Sequence, residues 1–151
     1  MNKKQNVLFL CNDNSARSQM AEGLLRSMAG EHFESLSAGL EPTDAVHPFA
    51  IKVMDEIGID ISAQIPKAVD IYLGKTMIHD LMTLCDKAQS TCPRVWSGTP
   101  FQKRYYWPVS DPGGVSSSVE ERLEVFRKVR DELKVNIASW LAEVQEHSVR
   151  S

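Results

Sequence analysis

Long apolar runs are missing from this chain. The longest, Val7-Leu8-Phe9-Leu10-Cys11, has five residues, against the ~20 that a helix needs to cross a bilayer, so no membrane span is expected. That run stops at Asn12-Asp13-Asn14, too soon after the basic start Met1-Asn2-Lys3-Lys4 for a secretory signal, and a cytoplasmic protein is expected. A basic tract is missing too. The 17 Lys and Arg stand against 20 Asp and Glu for a net charge of −3, and the run Lys128–Arg130 is interleaved with acids, so nucleic acid is not an expected partner. His32, His47, His79 and His147 show no metal-ligand spacing, and neither a metal nor an organic cofactor is expected. No repeat or Pro/Gly-rich linker divides the chain, so residues 1–151 are expected to form one domain. Cysteine is scarce, at three. An odd number in a reducing compartment favours thiol chemistry over structural bridges.

What is present is an alternation of short apolar runs with helical patterns. Asn6–Leu10 reads as a buried strand, and Ser15–Ala29 carries Met20, Leu24, Leu25 and Met28 at helical spacing before Gly30. Phe33–Ser37 is a second strand. Val46–Ile57 is a helix with Pro48 in its first turn and Gly58 at its end. Ala68–Leu73 reads as a short helix, Met77–Cys85 as a third strand and Lys103–Trp107 as a fourth. Ser118, with Glu121 three residues on, opens a long helix whose apolar face is Leu123, Phe126, Val129, Leu133, Ile137, Trp140 and Val144. This order predicts an α/β fold, a three-layer α/β/α sandwich around a four-stranded parallel sheet, with ligands at the carboxyl ends of the strands.

The first strand runs directly into Cys11-Asn12-Asp13-Asn14-Ser15-Ala16-Arg17-Ser18, and a helix follows. A loop wrapped over a helix N-terminus turns its backbone N–H groups toward one point, where the helix dipole favours an anion. Residues Asn12 to Ser18 are therefore read as a cradle for a tetrahedral oxyanion, closed by the guanidinium fork of Arg17. The same field is expected to hold Cys11 as a thiolate nucleophile, with Ser18 donating to it. A bare C-x5-R pattern also fits a buried cysteine and a surface arginine; its position between an apolar strand and a helix favours the cradle.

These residues, from Val7 to Cys11 and from Asn14 to Gly23, closely resemble the arsenate reductases built on the low-molecular-weight tyrosine phosphatase fold. Further matches are Ser37-Ala38-Gly39, Gly58-Ile59-Asp60-Ile61-Ser62, Thr83-Leu84-Cys85-Asp86, Cys92-Pro93, and Trp107 followed by Asp111-Pro112. The resemblance covers nearly the whole chain. It implies reduction of arsenate to arsenite in arsenic detoxification, with thioredoxin, or glutaredoxin, restoring the oxidised thiols. Cys11 attacks arsenic, Cys85 attacks Cys11 and expels arsenite, and Cys92 draws the disulfide away. Cys85 and Cys92 are seven residues apart. A helix would hold their Cα atoms roughly 10 Å apart, whereas a disulfide needs less than about 7 Å, so the stretch Asp86–Thr91 must rearrange. The resemblance further implies that Asp111 protonates the leaving oxygen. In the phosphatases of this fold a tyrosine follows the Asp-Pro pair; here Gly113-Gly114 follows.

The chain departs from its relatives at three places. Asp13 stands where many have glycine, and its charge is expected to face solvent, away from the anion. Ala16 stands where several have a further cysteine. Some relatives bind potassium through residues matching Asn14, Glu22 and Ser37, but the fourth ligand, an Asp, falls at Lys67, whose ammonium is expected either to take the cation's place or to lie in solvent. Two other readings compete with arsenate reduction. One is a low-molecular-weight protein tyrosine phosphatase working through a cysteinyl-phosphate, with Cys85 and Cys92 idle; the other is a non-catalytic oxyanion or redox sensor.

Overall fold

The computed structural model describes residues 4–72, 74–86, 103–109, 112 and 118–150, with side chains up to residue 144. Four strands, β1 (Gln5–Cys11), β2 (Phe33–Gly39), β3 (Asp80–Thr83) and β4 (Lys103–Tyr106), form one sheet. Its order is β2-β1-β3-β4 and every pairing is parallel. β1 lies inside the sheet, and its Val7, Leu8, Phe9 and Leu10 are buried on both faces, which is why it reads as a continuous apolar run rather than an alternating one. Val7 and Phe9 join Met82 and Leu84 under three helices, α1 (Arg17–Ala29), α2 (Pro48–Asp55) and α3 (Val119–Arg150). Leu8 and Leu10 face the other way, where Ile78, Val69 and Tyr72 close over them. The α/β sandwich with a four-stranded parallel sheet is therefore the observed architecture.

The elements differ from expectation mainly at their ends. The first helix begins at Arg17, not Ser15, because residues 12–16 are taken up by the loop. α2 is shorter than Val46–Ile57. His47 caps it, the imidazole Nδ1 accepting from Phe49 N at 3.0 Å, and the chain leaves it through Gly58 at φ 78°, a left-handed conformation that glycine adopts without strain. In place of the short helix Ala68–Leu73 there is one 3₁₀ turn, Val69–Ile71; Leu73 lies outside the described residues. β3 is four residues rather than Met77–Cys85, its ladder to β1 running from Val7↔Asp80 to Leu10↔Thr83. Ahead of that ladder, the Met77 carbonyl accepts from the Asn6 side chain at 2.7 Å. α3 opens as expected, with Glu121 N donating to Ser118 Oγ at 3.3 Å. Leu123, Phe126, Val129, Leu133, Ile137 and Trp140 are all buried, and at ~1.5–3 kcal/mol per large apolar side chain this face holds the helix to the sheet.

Candidate active site

β1 and β3 end side by side, and the thiols that follow them meet. Leu84 N donates to Leu10 O at 2.9 Å, so Cys11 and Cys85 leave the sheet at the same carboxyl edge. Both are buried and neither is in a disulfide, and the two thiols lie within hydrogen-bonding reach of each other. Beside them is a cleft of about 290 Å³ lined by Arg17, Cys85, Asp86, Pro108 and Val109. The segment after β4 is tied back to β3, Trp107 N donating to Thr83 O at 2.8 Å and Val109 N to Leu84 O at 3.1 Å. This brings the Val109 carbonyl within 3.2 Å of Arg17 Nη1 and fixes one side of the guanidinium at the cleft. At the cleft's rim the Tyr106 hydroxyl donates to the Asp86 carboxylate.

The thiol pair corrects the expectation of a ready thiolate. The hydrogen bond with Cys85 and then burial push Cys11 far above the usual cysteine range, outweighing the Arg17 charge and the Asn12 N–H, which pull it down. Two thiols sharing one hydrogen bond titrate as a pair. The expected consequence is testable: Cys85→Ala removes the largest raising influence and leaves Arg17 and Asn12 in place. The pH midpoint for alkylation of Cys11 by iodoacetamide, read by site-resolved mass spectrometry, is then expected to fall. An unchanged midpoint would mean that Cys85 does not control this thiol.

The anion loop itself turns at Asn14, not at Asp13: Asn14 carries φ 52°, a left-handed conformation that Asn tolerates better than most residues. Asn14 is fully buried and both ends of its side chain are hydrogen-bonded. Nδ2 donates to Ser18 Oγ at 2.7 Å, and Oδ1 accepts from Gln19 Nε2 at 2.9 Å and from Lys67 N at 2.8 Å. Ser18 Oγ accepts from Asn14, a bond that does not use the hydroxyl's own hydrogen, and the groups that bear on the Cys11 sulfur are Cys85 and the Asn12 N–H. Asp13 is half-buried rather than turned wholly outward, and its carboxylate accepts from Ser15 N at 3.3 Å, spending part of its charge within the loop.

Behind the loop, Glu22 is buried on α1. Its Oε1 accepts from Ser37 Oγ at 2.6 Å and lies 3.5 Å from Lys67 Nζ; its Oε2 pairs with Arg26 at 3.0 Å. Lys67 Nζ also donates to the Ile65 carbonyl at 2.8 Å. Asn14, Glu22, Ser37 and Lys67 are therefore gathered in one place. Two further members of this network, Gln19 and Gln64, had no distinguishing signal in the sequence: Gln19 looks like an ordinary early-helix residue, yet it is buried and accepts from Gln64 Nε2 at 2.7 Å through its own side-chain oxygen. Of the expected site residues, Cys11, Arg17 and Cys85 converge; Cys92 and Asp111 lie outside the described residues, as do Trp96 and Gly113-Gly114.

Comparison with known proteins agrees with this geometry. The family described as low molecular weight phosphotyrosine protein phosphatase matches residues 6–150. An arsenate reductase of Halalkalibacterium halodurans is 43% identical over 142 residues, 93% of this chain and 96% of its own length. One from Bacillus subtilis is 39% identical over 128 residues, 84% of this chain and 88% of its own. A solved arsenate reductase in the phosphate-binding state superposes with a TM-score of 0.75 at 34% identity, covering 92% of this chain and 98% of that one. The tyrosine phosphatase Wzb from Escherichia coli, solved with sulphate, superposes at 0.76 over 94% of this chain and 99% of its own, but at 18% identity it speaks for the fold alone.

Proposed function

The chain belongs to the low molecular weight phosphotyrosine protein phosphatase family, and from that membership and its paired thiols we propose that it is an arsenate reductase working by a thiol cascade within one domain, residues 1–151. The observation that carries this reading is the contact between Cys11 and Cys85. A phosphoester hydrolase needs one thiol and an acid; a second buried thiol against the first serves only redox chemistry.

Arsenate sits in the loop from Asn12 to Ser18 under the Arg17 guanidinium; the Cys11 thiol gives its proton to an oxygen of the bound oxyanion, and its sulfur attacks arsenic(V). Water leaves, its oxygen protonated by Asp111. Cys85, already placed against Cys11, attacks the Cys11 sulfur; the S–As bonding pair stays on arsenic, which departs as arsenite(III). The two thiols have lost two electrons as a Cys11–Cys85 disulfide. Cys92 then attacks Cys85, Cys11 leaves as thiolate, and the Cys85–Cys92 disulfide is reduced by a dithiol protein of the thioredoxin or glutaredoxin class. Steady-state rates of arsenate reduction driven by thioredoxin, compared with hydrolysis of an aryl phosphate, test the assignment: reduction is expected to dominate. Aryl phosphate hydrolysis without arsenite production would transfer the protein to the phosphatases.

Lys67 takes the place of the cation that some relatives bind. Its ammonium lies 3.5 Å from Glu22 Oε1, which also accepts from Ser37 Oγ, while its backbone N donates to Asn14 Oδ1, so a positive charge is already supplied by the chain. The melting temperature is expected to respond equally to potassium and sodium at equal ionic strength, and Lys67→Asp is expected to create a potassium preference. A strong potassium-specific stabilisation of the parent protein would contradict this role.

A further inference from the structure

We propose that the segment Gly39–His47, together with Gln19, is a strap that aims the anion cradle, making Gly39 and Gln19 positioning residues for oxyanion binding although neither is expected to touch the anion. The proposal rests on residues 11–18 being an oxyanion cradle.

The argument starts from the peptide plane. In a trans peptide the C=O and the following N–H point in opposite directions, so fixing a carbonyl fixes the next N–H. Every carbonyl from Cys11 to Ala16 is held. Leu40 N donates to Cys11 O at 3.2 Å, Glu41 N to Asn12 O at 2.7 Å, Thr43 N to Asp13 O at 3.1 Å and His47 N to Ser15 O at 2.8 Å. Gln19 Nε2 donates to Asn14 O at 3.0 Å, and Met20 N to Ala16 O at 2.9 Å. Four of these six donors are backbone groups of the strap. The N–H groups of Asn12, Asp13, Asn14 and Ala16 are consequently directed away from the 39–47 segment, while Gln19 and Met20 fix the peptides that carry the Ser15 and Arg17 N–H groups, the Ser15 N–H donating to the Asp13 carboxylate at 3.3 Å. The Asn12 N–H is already found at the Cys11 sulfur.

The strap reaches the loop only because its first residue has no side chain. A Cβ on Gly39 would sit 2.8 Å from Asn12 O, 2.9 Å from Asn14 N and 3.0 Å from Asn14 Cβ. Two of these are backbone atoms of the cradle, one of them an N–H it presents. Gly39 cannot retreat in the other direction, since it pairs with Cys11 in the sheet and its N donates to Lys67 O at 2.8 Å. An added methyl must therefore displace Asn12 to Asn14. Gln19 is the side-chain member of the set and can be altered without touching the sheet.

The test is calorimetric binding of inorganic phosphate to the whole protein and to Gly39→Ala, Gln19→Met and, as a control, Gly58→Ala. Gly58 has φ +78 and open space around its Cβ position, so its substitution strains the backbone far from the cradle. Gly39→Ala and Gln19→Met are expected to weaken phosphate about tenfold or more, since displacements well under 1 Å are costly at such sites, and to raise the KM for arsenate in parallel. Gly58→Ala is expected to lower the melting temperature but to bind phosphate as the parent does, which separates aiming from general destabilisation. If Gly39→Ala does not fold by circular dichroism, Gln19→Met decides on the same threshold. Phosphate affinity within twofold of the parent in either folded variant would overturn the strap while leaving the cradle standing. A parent protein that does not bind phosphate would overturn the cradle reading, and the strap with it.

Discussion

Cys11→Ser is expected to abolish arsenate reduction and any aryl phosphate hydrolysis together, by about 10⁴-fold or more, the scale on which removal of a nucleophile acts. Both reactions begin with the same sulfur. It ends the buried stretch Val7–Cys11 of β1, and the Asn12 N–H and the Arg17 guanidinium both favour its negative charge. A serine hydroxyl in that position stays protonated, because an alcohol is a far weaker acid than a thiol and the Asn12 N–H and Arg17 charge that favour a thiolate do not close that gap. The fold should survive, since the change is nearly isosteric and the Cys11 carbonyl keeps its bond from Leu40. Steady-state assays of both activities check this, with phosphate binding as the control that the cradle is intact. Arsenate reduction above a trace in the variant would remove Cys11 as the nucleophile.

Cys85→Ser separates the two activities instead of removing both. Arsenite release is expected to fall to a small fraction of one equivalent per protein, because the bond between Cys11 and arsenic can be formed but not resolved. Cys92 is not expected to substitute, since the cascade gives it only the later attack on Cys85. Hydrolysis of an aryl phosphate, which needs the Cys11 sulfur, Arg17 and an acid, should change only to the extent that Cys11 ionises more readily without its partner thiol. Multiple thioredoxin-driven turnovers in Cys85→Ser would defeat the cascade and favour the phosphatase reading.

The fold was legible because its signals are local. Val7 to Leu10 is apolar on both faces as a central parallel strand requires, and the α3 face repeats at helical spacing over more than five turns. The ends of elements were less legible for a physical reason: Met77 to His79 look like strand but are claimed by Asn6, whose side chain takes the Met77 carbonyl and whose backbone N donates to His79 Nδ1 at 2.9 Å. Cys11 and Arg17 were visible because a strand–loop–helix junction is a sequence pattern. The electrostatics were misjudged because the dominant influence on Cys11 comes from a thiol 74 residues away in the chain, which no local pattern reveals. Gln19 and Gln64 escaped notice, and Gly39 was noticed only as part of a motif, for the same reason: their contacts are with groups distant in sequence, Gln19 with Gln64 and Gly39 with Asn12 and Asn14.

The most direct measurement of the central claim is a disulfide map after one turnover. The reduced parent protein and Cys92→Ser are each mixed with one equivalent of arsenate in the absence of any external thiol, arsenite is counted, and the cysteines are located by mass spectrometry after alkylation. The cascade predicts one equivalent of arsenite from each protein, a Cys85–Cys92 disulfide in the parent, and a trapped Cys11–Cys85 disulfide in Cys92→Ser. Recovery of all three cysteines as free thiols, with no arsenite formed, would contradict it.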